Sequence, residues 1–424
     1  MHTTRLRPAR RRPERRRRGD LVVVAVLAVL LLGAATALWQ TSAVTDTTAE
    51  PSATPIVAPP AATGVPDTFT EVWRAPSAAT AGPVVAGPAV VTADGSTVVG
   101  RDAVTGAVSW SYARDLALCT VGSGFPGADS GMGRVLALYA GESGYCNELT
   151  ALQPDTGARV AARNPDVRPG TRLLGAGTFV VATGTDYLEV LRSDLVKTLE
   201  YGAVATPVQV GRQPRTGCRY GSTALVDGRL GVLERCPDEA TDRLTVLVPD
   251  GSDGSETPQE EFSVPLPATG ATLVTLSADR AAVALPNPPR LQLLDGTGHQ
   301  VGMVSLDVPD ADLAADPPGG VAAVEHDPER VYWWTGSRTL ALGATDLTPR
   351  WTLEGTLGPA LAYGGSLLVP VPAGLAEIDP ARGTVVRTLP VTRADPAAPV
   401  RLAAAGEVLL EQRGGEVVAL RPAP

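Results

Sequence analysis

The chain reads as an all-β protein, an eight-bladed β-propeller preceded by one transmembrane helix and a disordered linker. Three observations predict this. A strand–turn–strand unit, clearest as TVVGRDAVTGAVSWSY at 97–112, recurs in weaker copies down the remaining length. The composition holds 45 Gly and 38 Pro but only 4% aromatics, which suits short strands joined by turns and argues against long helices. An orphan strand, FTEVWR at 69–74, precedes the first full unit, while the last unit stops before any closing strand.

The N-terminal arm, residues 1–20, is basic: its first 18 residues carry nine Arg and one Glu. That is about +8, and it leaves about −17 for the rest of a chain whose formal charge is −9. So acidic a body is a poor nucleic-acid binder, because phosphate contacts need cationic side chains. Residues 21–38, LVVVAVLAVLLLGAATAL, contain no charge and are about long enough to cross a hydrocarbon core. The next Lys or Arg is Arg74, so the positive-inside rule keeps the N-terminus cytoplasmic and exports the C-terminal side of the span. The span is taken as 21–39, a signal anchor, with Trp39 at the outer interface; a cleaved signal with Ala35-Thr36-Ala37 as its site is the alternative. Residues 40–67, rich in Thr, Ala and Pro, have no amphipathic period and read as a disordered tether.

From residue 68 to 424 the pattern of apolar strand, turn and apolar strand has a period of roughly 40–45 residues, the range of propeller blades. The units span 82–114, 134–163, 173–201, 222–264, 271–308, 321–353 and 359–390, with a final half-unit at 400–420. Such a unit cannot bury its own apolar faces and needs neighbours of its kind. Pairing residues 69–74 with the C-terminal strands completes an eighth blade from both chain ends and removes the open edge. Seven blades is the alternative count if the weak third or fourth unit is not one. In the turns, Asp accepts backbone N–H bonds and Gly supplies the positive φ of a tight hairpin. Trp at the following strand supplies flat area for packing between blades.

These features resemble the quinoprotein-type (PQQ-like) β-propeller repeats, in which an apolar strand is followed by Asp-x-x-Thr-Gly and a Trp one strand later. The match is best at Asp102, Gly106 and Trp110, and fair at Asp155–Gly157, Asp379–Gly383 and Asp346–Trp351, with Trp73 as the Trp of the orphan strand. Within that class the chain is similar to exported, membrane-anchored, actinobacterial-type propellers, and more generally to the assembly propeller of the bacterial outer-membrane β-barrel machinery. The resemblance implies a non-enzymatic scaffold. A quinone-dependent enzyme of this class would need a calcium site, a catalytic Asp and often vicinal cysteines, and no such set is found here. No catalytic, cofactor-binding or metal-binding residue is therefore assigned, and no cofactor is expected.

Four cysteines, Cys119, Cys146, Cys218 and Cys236, lie in the exported part, where oxidation favours disulfides. Proximity suggests Cys119–Cys146 and Cys218–Cys236, although four cysteines allow three connectivities. Their wide spacing and the scarcity of histidine speak against a metal site. Of the three histidines, His2 is cytoplasmic, and His299 and His326 read as solvated turn residues. The acidic stretches 249–256 and 307–316 lack the spacing of a calcium loop and read as solvated. Alternation forces one of Trp333 and Trp334 away from the core face, either onto a neighbouring blade or into solvent as an interaction anchor. The functional expectation is a single-pass, extracytoplasmic propeller acting as a binding scaffold for an envelope protein or cell-wall partner. The alternative is a quinone-dependent dehydrogenase or another propeller enzyme.

Overall fold

A computed structural model describes residues 18–40, 45–128, 131–141, 143–207, 210–251 and 257–423. The basic arm up to residue 17, His2 within it, and residues 252–256 of the first acidic stretch lie outside the described residues, as does the side chain of Trp39. Two compact units result, residues 1–48 and 49–424. The first contains one helix, Arg18–Gln40, whose described side chains are all exposed. At 1.5 Å per residue its 23 residues extend roughly 34 Å, long and apolar enough to cross a membrane.

The second unit is an eight-bladed propeller of antiparallel sheets. Each blade runs outward from a short innermost strand, so sequence order and spatial order coincide in the first seven. The eighth is composite: Val400–Ala405, Val408–Arg413 and Glu416–Pro422 are followed on the outer edge by Phe69–Pro76. Trp73 faces Ala419 and Ala75 faces Val417, with a bulge between Glu71 and Trp73. The N-terminal strand thus closes the ring on the C-terminal blade, and eight is the blade count. Blade one carries a fifth strand on its outer edge, ending at Glu50.

Apolar clusters lie between successive blades, because each sheet exposes both faces to a neighbour. Val84, Val91 and Trp110 of blade one, for example, cluster with Val135 and Leu152 of blade two. The two disulfides are Cys119–Cys146 and Cys218–Cys236. The first joins the innermost strand of blade two, Leu118–Gly124, to its third strand, Cys146–Leu152, and the second joins the flanks of the first hairpin of blade four.

The segment preceding the closing strand differs from a free tether. Residues 50–67 are extended, but they are bound to the propeller face that carries the turns between first and second strands. Ser52 N–H donates to Thr156 O at 2.8 Å, Ile56 N–H donates to Asp155 O at 3.0 Å, and Ile56 is buried among blade-one side chains. Further on, Arg387 of blade seven donates to Val65 O at 2.9 Å and pairs with Asp67 at 2.6 Å. Low charge and high Pro content signalled extension correctly, but extended chain can still satisfy its backbone groups on a preformed surface.

Candidate functional site: the channel mouth

The innermost strands of all eight blades surround a central channel with a cavity of about 510 Å³. Small residues at these positions, such as Gly122, Gly175 and Ala404, keep it open. One end is roofed by the connection from blade five to blade six, residues 306–322, which contains two 3-10 turns, Asp310–Leu313 and Pro318–Gly320.

Acidic side chains pin this loop on both sides. Asp316 takes a two-pronged pair from Arg235 of blade four, at 2.6 and 2.7 Å. Asp312 accepts from Ser337 N–H at 3.1 Å and Ser337 Oγ at 2.8 Å in blade six, and Asp307 pairs with Arg338 at 2.8 Å. Leu313 drops into the core with Trp333. Gly319 has φ +68°, and a Cβ there would stand 2.7 Å from Cγ of Arg172 in blade three. The loop therefore spans the mouth from blade six to blade three; the 307–316 stretch is largely solvated, as expected, yet three of its aspartates anchor it.

A second cavity of about 430 Å³ lies beside the loop and shares Arg172, Pro318, Val321, Ala322 and Arg401 with the channel. Trp333 is buried, whereas Trp334 is half-buried on this cavity, with Nε1 donating to Thr356 O at 3.1 Å.

The polar residues of the mouth are few. Arg172 and Arg401 line both cavities, and among the described residues neither has a carboxylate oxygen within 4.0 Å. Burial lowers the pKa of the Arg401 guanidinium, against the opposing attraction of Glu325. Glu325 is the one carboxylate among the channel-lining residues; burial pushes it up to about 7, again with Arg401 opposing. His326, expected in a solvated turn, is exposed but ends the innermost strand Ala323–His326 at the channel, where partial desolvation lowers its pKa despite Asp327 nearby. The second cavity adds two carboxylates to its lining, Asp312, held by Ser337, and Asp316, paired with Arg235.

The repeat residues lie elsewhere, between blades. Trp73 Nε1 donates to Ala103 O at 2.9 Å and packs on Gly106; Trp110 Nε1 donates to Pro154 O at 2.8 Å and packs on Gly157. Trp351 Nε1 donates to Pro380 O at 2.9 Å and packs on Gly383. Asp102 and Asp379 accept backbone N–H bonds within their turns, while Asp155 supplies its carbonyl to Ile56.

Elsewhere, the one close group of metal-ligating side chains among the described residues is Cys218, Glu234 and Cys236, whose sulfurs are bonded to each other. Glu234 is already taken by Tyr201 at 2.8 Å and Arg215 at 3.1 Å. His299 is exposed, with Thr297 as its partner at 2.7 Å. A calcium-bound quinone does not fit the channel: Glu325 stands alone as an acid there, and no two cysteines are vicinal. Sequence reading missed Arg172, Arg401 and Glu325 because nothing local distinguishes a channel-facing position from any other strand position.

No family model matches the chain, and no curated protein does. Solved structures do. The computationally designed Ika8 protein has TM-score 0.51 at 12% identity, covering 87% of this chain and 99% of its own. The dihydro-heme d1 dehydrogenase NirN has TM-score 0.50 at 15% identity, covering 82% of this chain and 78% of its own. BamB from Moraxella catarrhalis has TM-score 0.46 at 16% identity, covering 84% and 98%. At these identities the likeness concerns the propeller fold alone.

Proposed function

We propose that this chain is a single-pass membrane protein whose extracytoplasmic propeller is a non-enzymatic binding scaffold in the cell envelope. Nine arginines before an apolar helix favour a cytoplasmic N-terminus, and two disulfides favour an oxidising compartment for the propeller. The observation that carries the binding role is the roofed mouth. A 17-residue connection, residues 306–322, is pinned by three carboxylates over the channel and leaves Trp334 half-buried beside it. Indole rings with one free face at the edge of a pocket are favoured binding anchors. The partner on this reading is an envelope protein or a cell-wall component.

Photo-crosslinking in intact envelopes tests the role. A crosslinker replacing Ala315 in the roof is expected to capture a defined partner, and one replacing exposed Val160 on the outer edge of blade two is not. Equal capture at both positions would remove the mouth as the docking site. Stoichiometric quinone binding with dye-linked oxidation of an alcohol or sugar would replace the scaffold by an enzyme.

A further inference from the structure

We propose that the channel mouth is a binding site for a small amphipathic monocarboxylate, gripped by Arg172 and Arg401 with its apolar body against the roof loop and Trp334. The site shares the roof loop and Trp334 with the proposed docking surface, but its test needs no partner protein.

The charge arrangement comes first. Arg215, Arg235, Arg338 and Arg393 each meet a carboxylate, so this acidic protein readily pairs its arginines. Arg172 and Arg401 have no carboxylate within 4.0 Å, although both line the two cavities and burial disfavours the charge of Arg401. Arg172 precedes the innermost strand of blade three and Arg401 lies in that of blade eight, and both line both cavities. Arg172 is held in place by the roof, its side chain against Gly319. The aliphatic stem of Arg401 packs on Gly82, where a Cβ would stand 3.4 Å from its own.

Charge balance selects the ligand. Asp316 in the second cavity is neutralised by Arg235, which leaves the two guanidiniums facing Glu325 and Asp312, the latter already held by Ser337. A monoanion meets less repulsion from these two acids than a dianionic phosphate would. A planar carboxylate matches the forked donors of arginine. Shape selects the rest: cavities of about 430 and 510 Å³ fall within the usual range for small-molecule sites. Leu313, Pro318, Val321 and Trp334 supply an apolar wall.

The test uses the full chain in lipid nanodiscs and 2-naphthoate as probe, with 2-naphthamide as its neutral counterpart, by titration calorimetry. Naphthoate is expected to bind one-to-one and at least about tenfold more tightly than the amide. Arg401→Gln and Arg172→Gln are each expected to weaken naphthoate by about tenfold or more, with the amide unaffected. Glu325→Gln is expected to tighten it. Should Arg401→Gln fail to fold, Arg172→Gln and Trp334→Ala carry the test. Equal affinity for acid and amide overturns the proposal, as does undiminished naphthoate binding in a folded arginine variant or no binding at all.

Discussion

Trp73, from the strand that precedes the first blade, lies flat on Gly106 in the turn of blade one, where a Cβ would stand 2.5 Å from its Cγ. The indole N–H donates to Ala103 O in the same turn, at 2.9 Å. This contact is the seam at which the ring closes, and it repeats the Trp110–Gly157 and Trp351–Gly383 contacts between interior blades. Glycine is needed twice at each site, for positive φ and for the room the ring occupies. Gly157→Ala is therefore expected to cost about 2–4 kcal/mol, combining left-handed strain with overpacking. Urea denaturation measures it, and a loss within about 0.5 kcal/mol would show that the indole has room to move.

Where the preceding blade offers no Trp, the turn solves the problem in reverse. Leu195 and Leu347 occupy positive φ, 61° and 57°, and are buried in the interblade clusters. The Leu side chain fills the space that an indole fills elsewhere. Leu195→Gly, which restores the repeat's consensus, is thus expected to destabilise by about 1–3 kcal/mol, because the cavity outweighs the relieved strain. Stabilisation by this substitution in a denaturant titration would contradict that ordering.

Blades seven and eight are tied by a buried ion pair. Arg393 meets Glu411 at 2.8 and 3.0 Å and donates to the carbonyls of Val371 and Gly374, while the side chains are 2% and 0% exposed. Glu411 also pairs with Arg413 at 2.7 Å, so Glu411→Leu strands two guanidiniums, and the expected cost is about 3–5 kcal/mol. The double variant Arg393→Met with Glu411→Leu is expected to recover part of it, because Arg413 keeps only Glu71, at 4.0 Å. A double-mutant cycle by thermal or urea unfolding checks both numbers.

Glu325 gives the molecule a pH signature. Burial raises its folded-state pKa from the ordinary carboxylate range to about 7, so the folded protein holds that proton more tightly than the unfolded chain does. The stabilising contribution is present at low pH and is lost as pH rises through about 7. Relative to Glu325→Gln, in which His326 and Arg401 are retained, the natural protein is expected to lose about 1–3 kcal/mol between pH ~5 and ~8. Unfolding free energies measured across that interval test it, and a constant difference between the two proteins would refute it.

The blades were legible in the sequence wherever a turn had to be a particular turn. Asp102 with Gly106 and Asp379 with Gly383 marked hairpins, and the Trp of FTEVWR marked a strand in search of a sheet. Among the innermost strands, Val84–Ala86 was legible within GPVVAG at the start of the 82–114 unit, but Leu361–Tyr363 was not, because three residues carry no period. The mouth was less legible still. Arg172, Glu325 and Arg401 are separated by 153 and 76 positions, and only closure of the ring brings them to one channel. The ordered run from Glu50 to Asp67 escaped notice for another reason: its contacts are mostly backbone hydrogen bonds, which leave no pattern in side-chain type.

Closure by both ends of the chain underlies everything else, since the blade it completes also positions Arg401. Native-state hydrogen exchange of residues 69–76 tests it most directly. The amides of this strand are expected to exchange as slowly as those of its partner, residues 416–422, and Trp73→Ala is expected to accelerate both together. Fast exchange at 69–76 beside a protected 416–422 would mean that the N-terminal strand is not part of the eighth blade.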